Sequence, residues 1–197
     1  MNTSTPLIRP ATIQHAQALA ELVNIAAAGM AYYVWATMAK DGEDPWSVGR
    51  ARARREQGSF SYRNASVIEV DGAVAACLIG YPLSDKPDAI DATKIPAMFV
   101  PMQQLENLAS GTWHVNVLAS YPRWRKKGFG TALLHHAEKL AVTTGVKRGM
   151  SVIVADNNAT ARRLYERMGY RRVADCPMVK ENWQSPGSVW VLLIKKT

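Results

Sequence analysis

The chain has 197 residues, 48% of them hydrophobic, and a formal net charge of +8 at pH 7. A chain of this length and apolar content can bury a sizeable core, and nothing in it indicates a second domain. Its two cysteines, Cys77 and Cys176, lie far apart. This spacing excludes a disulfide framework and a cysteine-based zinc site, and it favours a reducing cytoplasm.

The N-terminal part is predicted to contain one strand and several helices. We expect the strand near Thr5–Arg9 and no secretory signal before it. The uncharged stretch Leu22–Ala39 approaches the roughly 20 residues of a membrane helix. Gly29 and several polar residues interrupt it, so we interpret it as parts of two helices and expect no membrane span. The predicted helices of this region cover Ile13–Ala28, Ala31–Lys40 and Pro45–Gln57.

A hairpin and a variable segment follow. Ala65–Val70 and Ala73–Tyr81 flank Asp71-Gly72, which is a strong signal for a two-residue turn. Residues 82–111 contain several prolines and are interpreted as an insertion with a short helix over Met102–Ala109.

The second half alternates strands and helices, which indicates a layered α/β domain. The first strand is Trp113–Ala119, and a helix over Thr131–Thr144 follows it. A short strand at Val152–Val154 and a second helix precede the C-terminal strands. Those strands are predicted near Tyr170–Ala174 and Ser188–Lys195.

The segment Arg125–Thr131 lies between a predicted strand and a predicted helix and reads RKKGFGT. The first turn of a helix has backbone N–H groups without intrahelical partners and a partial positive charge, so it binds anions. Gly128 and Gly130 allow a tight turn and a close approach of phosphate oxygens to the amides. Because three basic residues add positive charge, we predict a pyrophosphate site here.

Two other phosphate-binding loops do not fit this segment. A Walker A loop requires Gly-x-x-x-x-Gly-Lys-Ser/Thr, whereas Gly128 and Gly130 are two positions apart and Thr131 follows directly. A dinucleotide fingerprint requires a third glycine three residues after Gly130, and that position is Leu133.

A second block, residues 157–170, reads NNATARRLYERMGY. Its apolar residues recur at helical spacing, Asn158 is a predicted N-cap and Gly169 a predicted C-terminal stop. The block is therefore predicted to be a short helix with one buried stripe.

The two blocks resemble motifs A and B of the GNAT acetyltransferase superfamily. Motif A has the pattern Arg/Gln-x-x-Gly-x-Gly/Ala, and Arg125, Gly128 and Gly130 occupy its fixed positions. The resemblance covers most of the chain from Leu7 onward. It implies an α/β, GNAT-like fold whose central mixed, mostly antiparallel, twisted sheet has helices on both faces. We expect a single N-acetyltransferase domain over residues 5–197, with the insertion at about 82–111.

The resemblance implies acetyl-coenzyme A as cosubstrate, no metal, and transfer of the acetyl group to a primary amine by direct attack in a ternary complex. A backbone amide of the strand before the loop would polarise the thioester carbonyl. The cofactor-binding residues implied by the family are Leu118, Ala119, Arg125, Lys126, Lys127, Gly128, Phe129, Gly130, Thr131, Asn158 and Tyr165.

His114 and Tyr165 are the candidate catalytic residues. In several family members a general base, often glutamate, occupies the position of His114, and the tyrosine that matches Tyr165 lies near the thioester sulfur. Histidine, with an ordinary pKa near 6.5, can accept the amine proton directly or through water. The structural alternatives are a hydrogen-bonded interior histidine and a core tyrosine.

Other functions stay open at the level of sequence. The acceptor is a small-molecule amine or a peptide N-terminus, and a homodimer is compatible with such a domain. A catalytically silent acyl-coenzyme A sensor would share the fold. The basic run Arg50, Arg52, Arg54 and Arg55 allows a nucleic-acid-binding protein. We do not expect nucleic acid as a partner, because these arginines fit a solvated helix face.

Overall fold

The computed structural model describes residues 7–196 of the chain. The start of the predicted strand Thr5–Arg9 lies outside these residues, and the described strand covers Ile8–Pro10. The central sheet has seven strands in the order β1-β2-β3-β4-β5-β7-β6. The strands are β1 (Ile8–Pro10), β2 (Ala65–Val70), β3 (Ala73–Pro82), β4 (Trp113–Ser120), β5 (Met150–Ala155), β6 (Arg171–Pro177) and β7 (Val189–Lys195).

The pairing of the strands confirms a mixed, mostly antiparallel sheet. β1 with β2, β2 with β3, β5 with β7 and β7 with β6 pair antiparallel. β4 and β5 form the parallel pair, with Trp113 opposite Met150 and Val115 opposite Val152. The predicted hairpin is confirmed, with Asp71 and Gly72 both at positive φ in its turn.

Six α-helices complete the described fold. They are α1 (Ala16–Ala26), α2 (Met30–Met38), α3 (Pro45–Ala53), α4 (Val100–Leu108), α5 (Phe129–Thr143) and α6 (Ala159–Arg167). α1 is preceded by a 3-10 turn at Ile13–His15, where the Nδ1 atom of His15 accepts the Thr12 N–H at 2.7 Å. α4 begins two residues before its predicted start, because Pro101 suits the first turn of a helix.

Gly29 separates α1 from α2, as the sequence predicted, and has a φ of 87°. Within residues 7–196, no single helix is both long and apolar enough to cross a membrane. The segments Ile13–Ala26 and Met30–Met38 reach that length and composition only together, and they are bent by 119° at their break.

The chain divides into two compact units. The first contains the described part of Met1–Gly80 together with Val117–Ala137. The second contains Tyr81–Asn116 and Glu138–Thr197 as far as residue 196.

Aromatic side chains fill the core of the first unit where α2 meets α3. Trp35 is buried, with its ring centroid 5.7 Å from that of Trp46 and 6.1 Å from that of Phe60. A Cβ atom at Gly49 of α3 would lie 2.6 Å from Cζ3 of Trp35. Gly49 therefore permits the close approach of α3 to this indole ring.

We expect Gly49→Ala to lower the free energy of unfolding by about 1–2 kcal/mol, although alanine favours a helix by about 1 kcal/mol over glycine. Stability is lost because the Trp35 ring would have to move away from the new methyl group, and the aromatic rings of Trp46 and Phe60 packed around it leave little room. Urea unfolding followed by tryptophan fluorescence measures it. Ala51→Leu at an exposed position of α3 is the control and should change stability by less than about 0.5 kcal/mol. A stable Gly49→Ala variant would contradict the packing described here.

Candidate active site

The loop between β4 and α5 has the backbone conformation of an anion site. Lys126 and Gly128 both lie at positive φ, 60° and 81°. The first intrahelical bond of α5 runs from the Ala132 N–H to the Gly128 carbonyl at 3.0 Å. The N–H groups of the residues between them, Phe129 to Thr131, therefore have no intrahelical partner. The predicted helix over Thr131–Thr144 is present, and it begins two residues earlier, at Phe129.

The space over this turn is open. A Cβ atom built at Gly128 meets no heavy atom within 4 Å. The side chains of Arg125, Lys126 and Lys127 are exposed, and α5 has no acidic residue in its first turn. The loop thus offers amides, an unobstructed approach and positive charge, which are the features of an anion-binding site.

Trp124 anchors the basic side chains of the loop. The Lys127 ammonium lies 5.1 Å from the centroid of its ring and the Arg123 guanidinium 5.7 Å, both within the range of cation–π attraction. The Trp124 ring in turn lies 6.3 Å from that of Phe129, the first residue of α5. The positive charge is therefore held beside the helix start.

Leu118 and Ala119 differ in the direction of their N–H groups. The Tyr121 N–H donates to the Ala75 carbonyl of β3 at 3.0 Å, and the Ala119 backbone hydrogen-bonds to the Cys77 thiol of the same strand. Because the N–H groups of a strand alternate in direction, that of Leu118 points away from β3. Of the two predicted backbone amides, that of Leu118 is therefore the one that does not hydrogen-bond to β3.

His114 is buried in the second unit, with 2% of its surface exposed. Its ring centroid lies 5.9 Å from that of Tyr81, and Nδ1 lies 3.0 Å from the Ser151 hydroxyl. Burial lowers the pKa of His114 from 6.5 to about 4. The imidazole is therefore neutral at physiological pH. Because it is almost fully buried, a substrate has little direct access to it.

A chain of hydroxyl groups fixes the tautomer of His114. The Thr112 hydroxyl donates to the Ala109 carbonyl at 2.6 Å, since a carbonyl can only accept. The Ser151 hydroxyl oxygen lies 2.7 Å from that of Thr112. Because the Thr112 proton is already donated to Ala109, the Ser151 hydroxyl must be the donor between these two groups. Ser151 then accepts from His114, so the ring proton sits on Nδ1 and the Nε2 lone pair is left available.

Glu106 faces that lone pair and is the residue the sequence analysis missed. Its Oε1 atom lies 3.8 Å from Nε2 of His114, and 20% of its side chain is exposed. Burial, followed by the charge of Asp88, raises the pKa of Glu106 from 4.5 to about 7. In the sequence, a single acidic residue on a short helix is expected to be exposed to solvent. The carboxyl of Glu106 is buried only because α4 packs against the sheet.

The block with motif B forms the predicted capped helix. The side chain of Asn158 accepts the Ala161 N–H at 3.1 Å, and Gly169 ends the helix at a φ of 91°. Tyr165 is buried, with its ring centroid 5.6 Å from that of Tyr170. Burial raises the pKa of the Tyr165 hydroxyl, which therefore keeps its proton at neutral pH.

The predicted site residues thus fall into two groups. His114, Asn158 and Tyr165 belong to the second unit, together with Glu106. Leu118, Ala119 and the loop Arg125–Thr131 belong to the first unit. β4 contributes to both groups, because His114 and Leu118 lie on the same strand. Among the residues described, no group of three or more His, Cys, Asp or Glu side chains is arranged to hold a metal ion.

Solved structures share this architecture. A crystal structure described only as an acetyltransferase is 21% identical, covers 96% of this chain and 98% of its own, and has a TM-score of 0.64. An N-acetyltransferase from Staphylococcus aureus Mu50 is 20% identical over 95% and 99% of the two chains, with a TM-score of 0.65. Ard1 from Thermoplasma volcanium is 15% identical over 98% and 100%, with a TM-score of 0.60. These likenesses define a GNAT-type fold.

The sequence itself identifies the family. Residues 29–170 match the Acetyltransferase (GNAT) family. The chain therefore belongs to the GNAT acetyltransferase family, which confirms the resemblance carried by motifs A and B. No curated protein matches the chain.

The raised pKa of Glu106 leads to a prediction about stability. The native state binds the Glu106 proton more tightly than the unfolded chain, so stability is lost as the pH rises from 4.5 to about 7. We expect Glu106→Gln to raise the free energy of unfolding by about 1–3 kcal/mol at pH 8 and by less than about 1 kcal/mol at pH 5. Guanidinium chloride unfolding at the two pH values measures this.

Glu56→Gln is the control for this experiment. Hydrogen bonds from Tyr62 and Arg63 lower the pKa of the exposed Glu56 carboxyl, so its removal should not stabilise the protein at pH 8. A Glu106→Gln variant that is equally or less stable at pH 8 would contradict the buried, raised carboxyl.

Proposed function

We propose that the protein is an N-acetyltransferase that moves the acetyl group of acetyl-coenzyme A to a primary amine by direct attack in a ternary complex. The observation that carries the proposal is the open, positively charged turn at Gly128 at the start of α5. Membership of an acetyltransferase family supports the reaction type.

The residues of the chain have distinct tasks in this proposal. The amides from Phe129 to Thr131 bind the diphosphate, with charge from the loop side chains. The Leu118 amide stabilises the negative charge that develops on the thioester oxygen. The Tyr165 hydroxyl, protonated at neutral pH, donates to the departing thiolate.

The attacking amine has to lose a proton, because alkyl amines with a pKa of about 10 are mostly protonated at pH 7. His114 takes part in this transfer as the neutral Nδ1–H tautomer. Since the ring is buried, its exchange with an amine runs through a neighbouring group or water rather than by direct contact.

The acceptor is an amine, either a small molecule or a peptide N-terminus, in the cytoplasm. Intramolecular contacts of the basic run of α3 weigh against a nucleic-acid interface. Arg50 pairs with Asp44 at 3.2 Å, and Arg55 donates to the Phe60 carbonyl at 3.1 Å. Burial, followed by the charge of Arg55, lowers the pKa of Arg52, which therefore lies partly inside the protein.

Free-thiol release from acetyl-coenzyme A over a panel of amines and peptides tests the proposal, with mass spectrometry of the products. We expect one thiol for each acetylated amine. Acetyl-coenzyme A binding without thiol release for any acceptor would identify a non-catalytic acyl-coenzyme A sensor. Nucleic-acid binding without acetyl-coenzyme A binding would contradict the proposal altogether.

Replacement of Gly128 tests the diphosphate site. We expect Gly128→Ala to weaken acetyl-coenzyme A binding tenfold or more, about 1.4 kcal/mol, because its Cβ enters the approach of the phosphate oxygens. Isothermal titration calorimetry measures the change. Gly145→Ala is a matched control at the other end of α5, with a φ of 75° and equally open space. It carries the same backbone strain and should bind as the native protein does; equal affinity of both variants would refute the site.

Replacement of Tyr165 tests the thiolate partner. Tyr165→Phe should lower kcat by roughly tenfold to hundredfold with little change in acetyl-coenzyme A affinity, since only a proton donor is lost. Tyr170→Phe is the control, because the buried Tyr170 hydroxyl has no hydrogen-bond partner in the described structure. Unchanged turnover in Tyr165→Phe would assign this residue to the core.

A further inference from the structure

The contacts of α4 add a residue to the acid–base chemistry, and this inference rests on the proposed acetyl transfer. We infer that the Glu106 carboxylate is the catalytic group that accepts the proton of the acceptor amine, directly or through one water, and that His114 positions it. Four observations, all within the second unit, support this assignment.

The first observation is accessibility. His114 exposes 2% of its side chain, whereas Glu106 beside it exposes 20%. Of the two acid–base groups, Glu106 is the one a solvent molecule or an amine can reach.

The second observation is the fixed orientation of His114. The chain from the Ala109 carbonyl through Thr112 and Ser151 places the only ring proton on Nδ1. Nε2 therefore presents a lone pair to Glu106 at 3.8 Å. Two proton acceptors at this separation are stable together only when one of them is protonated. The contact therefore favours the protonated form of Glu106, and the neutral imidazole packs beside the carboxyl group without a direct hydrogen bond at this distance.

The third observation is a small cavity of about 10 Å³ beside Glu106. Its volume is close to the roughly 10–15 Å³ that one water molecule requires. Most of its lining is polar and comes from α4 and the segments that flank it, including Lys86, Asp88, Gln103, Glu106 and Asn107. The cavity has room for about one water molecule, which could accept the proton of the carboxyl group.

The fourth observation concerns the scaffold. The side chain of Asn107 donates to the Asp88 carbonyl at 2.8 Å and accepts the Asp88 N–H at 3.0 Å. These bonds fix the segment of Asp88 against α4. The negative charge of Asp88 beside Glu106 contributes to a carboxyl pKa near 7, which suits a general base at neutral pH.

Charged groups on the other elements around α4 are engaged elsewhere. On β6, Arg172 pairs with Asp175, and Arg171 donates to the Glu166 carbonyl. On β7, Lys195 pairs with Glu138 at 2.5 Å. β5 contributes the uncharged Ser151. The titration of Glu106 is therefore set by its burial and by the charge of Asp88, with Lys86 and His114 as the other ionisable neighbours.

The acceptor ammonium first gives one proton to Glu106, and the neutral amine nitrogen then forms a bond to the thioester carbonyl carbon. The carbon–sulfur bond breaks with its electron pair on sulfur, which takes a proton from Tyr165. The nitrogen loses its second proton through water, which restores the proton on Tyr165, and Glu106 releases its own proton to solvent.

The test compares pH–rate profiles of kcat for the native protein, Glu106→Gln, Glu106→Asp and His114→Gln. We expect an ascending limb near pH 7 in the native protein and its loss in Glu106→Gln, with a fall of about 10² or more at pH 7.5. Glu106→Asp should restore part of the rate, and His114→Gln should shift the limb without abolishing it. The exposed Glu56→Gln is the control and should keep the native profile. A limb near pH 7 that survives in Glu106→Gln would overturn the inference.

A measurement independent of turnover separates this inference from the proposed function. Carbon-13 NMR of the glutamate side chains should show one carboxyl that titrates near pH 7 in the native protein and is missing in Glu106→Gln. Nitrogen-15 NMR should show His114 neutral, with its proton on Nδ1, from pH 6 to 8. If Glu106 titrates near 4.5 or His114 is protonated on Nε2, the inference fails even when acetyl transfer occurs. If the NMR results hold and no amine is acetylated, the proposed function fails instead.

Discussion

One backbone constraint underlies the proposed coenzyme A site: the chain has to turn from β4, which ends at Ser120, into α5, which begins at Phe129. Lys126 and Gly128 make this reversal in the left-handed region, and Gly128 accepts the first helical bond. Left-handed backbone costs an ordinary residue roughly 1–2 kcal/mol, so Lys126 carries strain that glycine would not. The result is a row of helix-start amides next to three exposed basic side chains. The proposed binding of acetyl-coenzyme A depends on that geometry.

A second feature, the buried polar chain of the second unit, links structure to proton transfer. Burial lowers the pKa of His114 and raises that of Glu106, so both groups favour their neutral forms. Both effects come from burial, because neither charge is well solvated in the interior of the second unit. A histidine with this low pKa is a poor base by itself. The inferred acceptor of the amine proton is therefore the neighbouring Glu106 carboxyl rather than the imidazole.

The sequence predicted the features that depend on local chemistry. The loop glycines, the Asn158 cap, the Gly169 stop and the hairpin turn are each set by neighbours in the chain, and each is present. The predicted alternative of a hydrogen-bonded interior histidine agrees with the burial of His114 and its contact with Ser151. The partners of His114 could not be predicted, because Ser151 lies 37 residues away and Glu106 enters through tertiary packing of a short helix. The choice of Leu118 over Ala119 likewise required the contacts of β3.

The central claim is that the turn at the start of α5 binds the diphosphate of coenzyme A. A crystal structure of the protein with acetyl-coenzyme A tests it most directly. The account predicts diphosphate oxygens within about 3.2 Å of the amide nitrogens of Phe129, Gly130 and Thr131. A diphosphate bound elsewhere, with this turn left free, would contradict it.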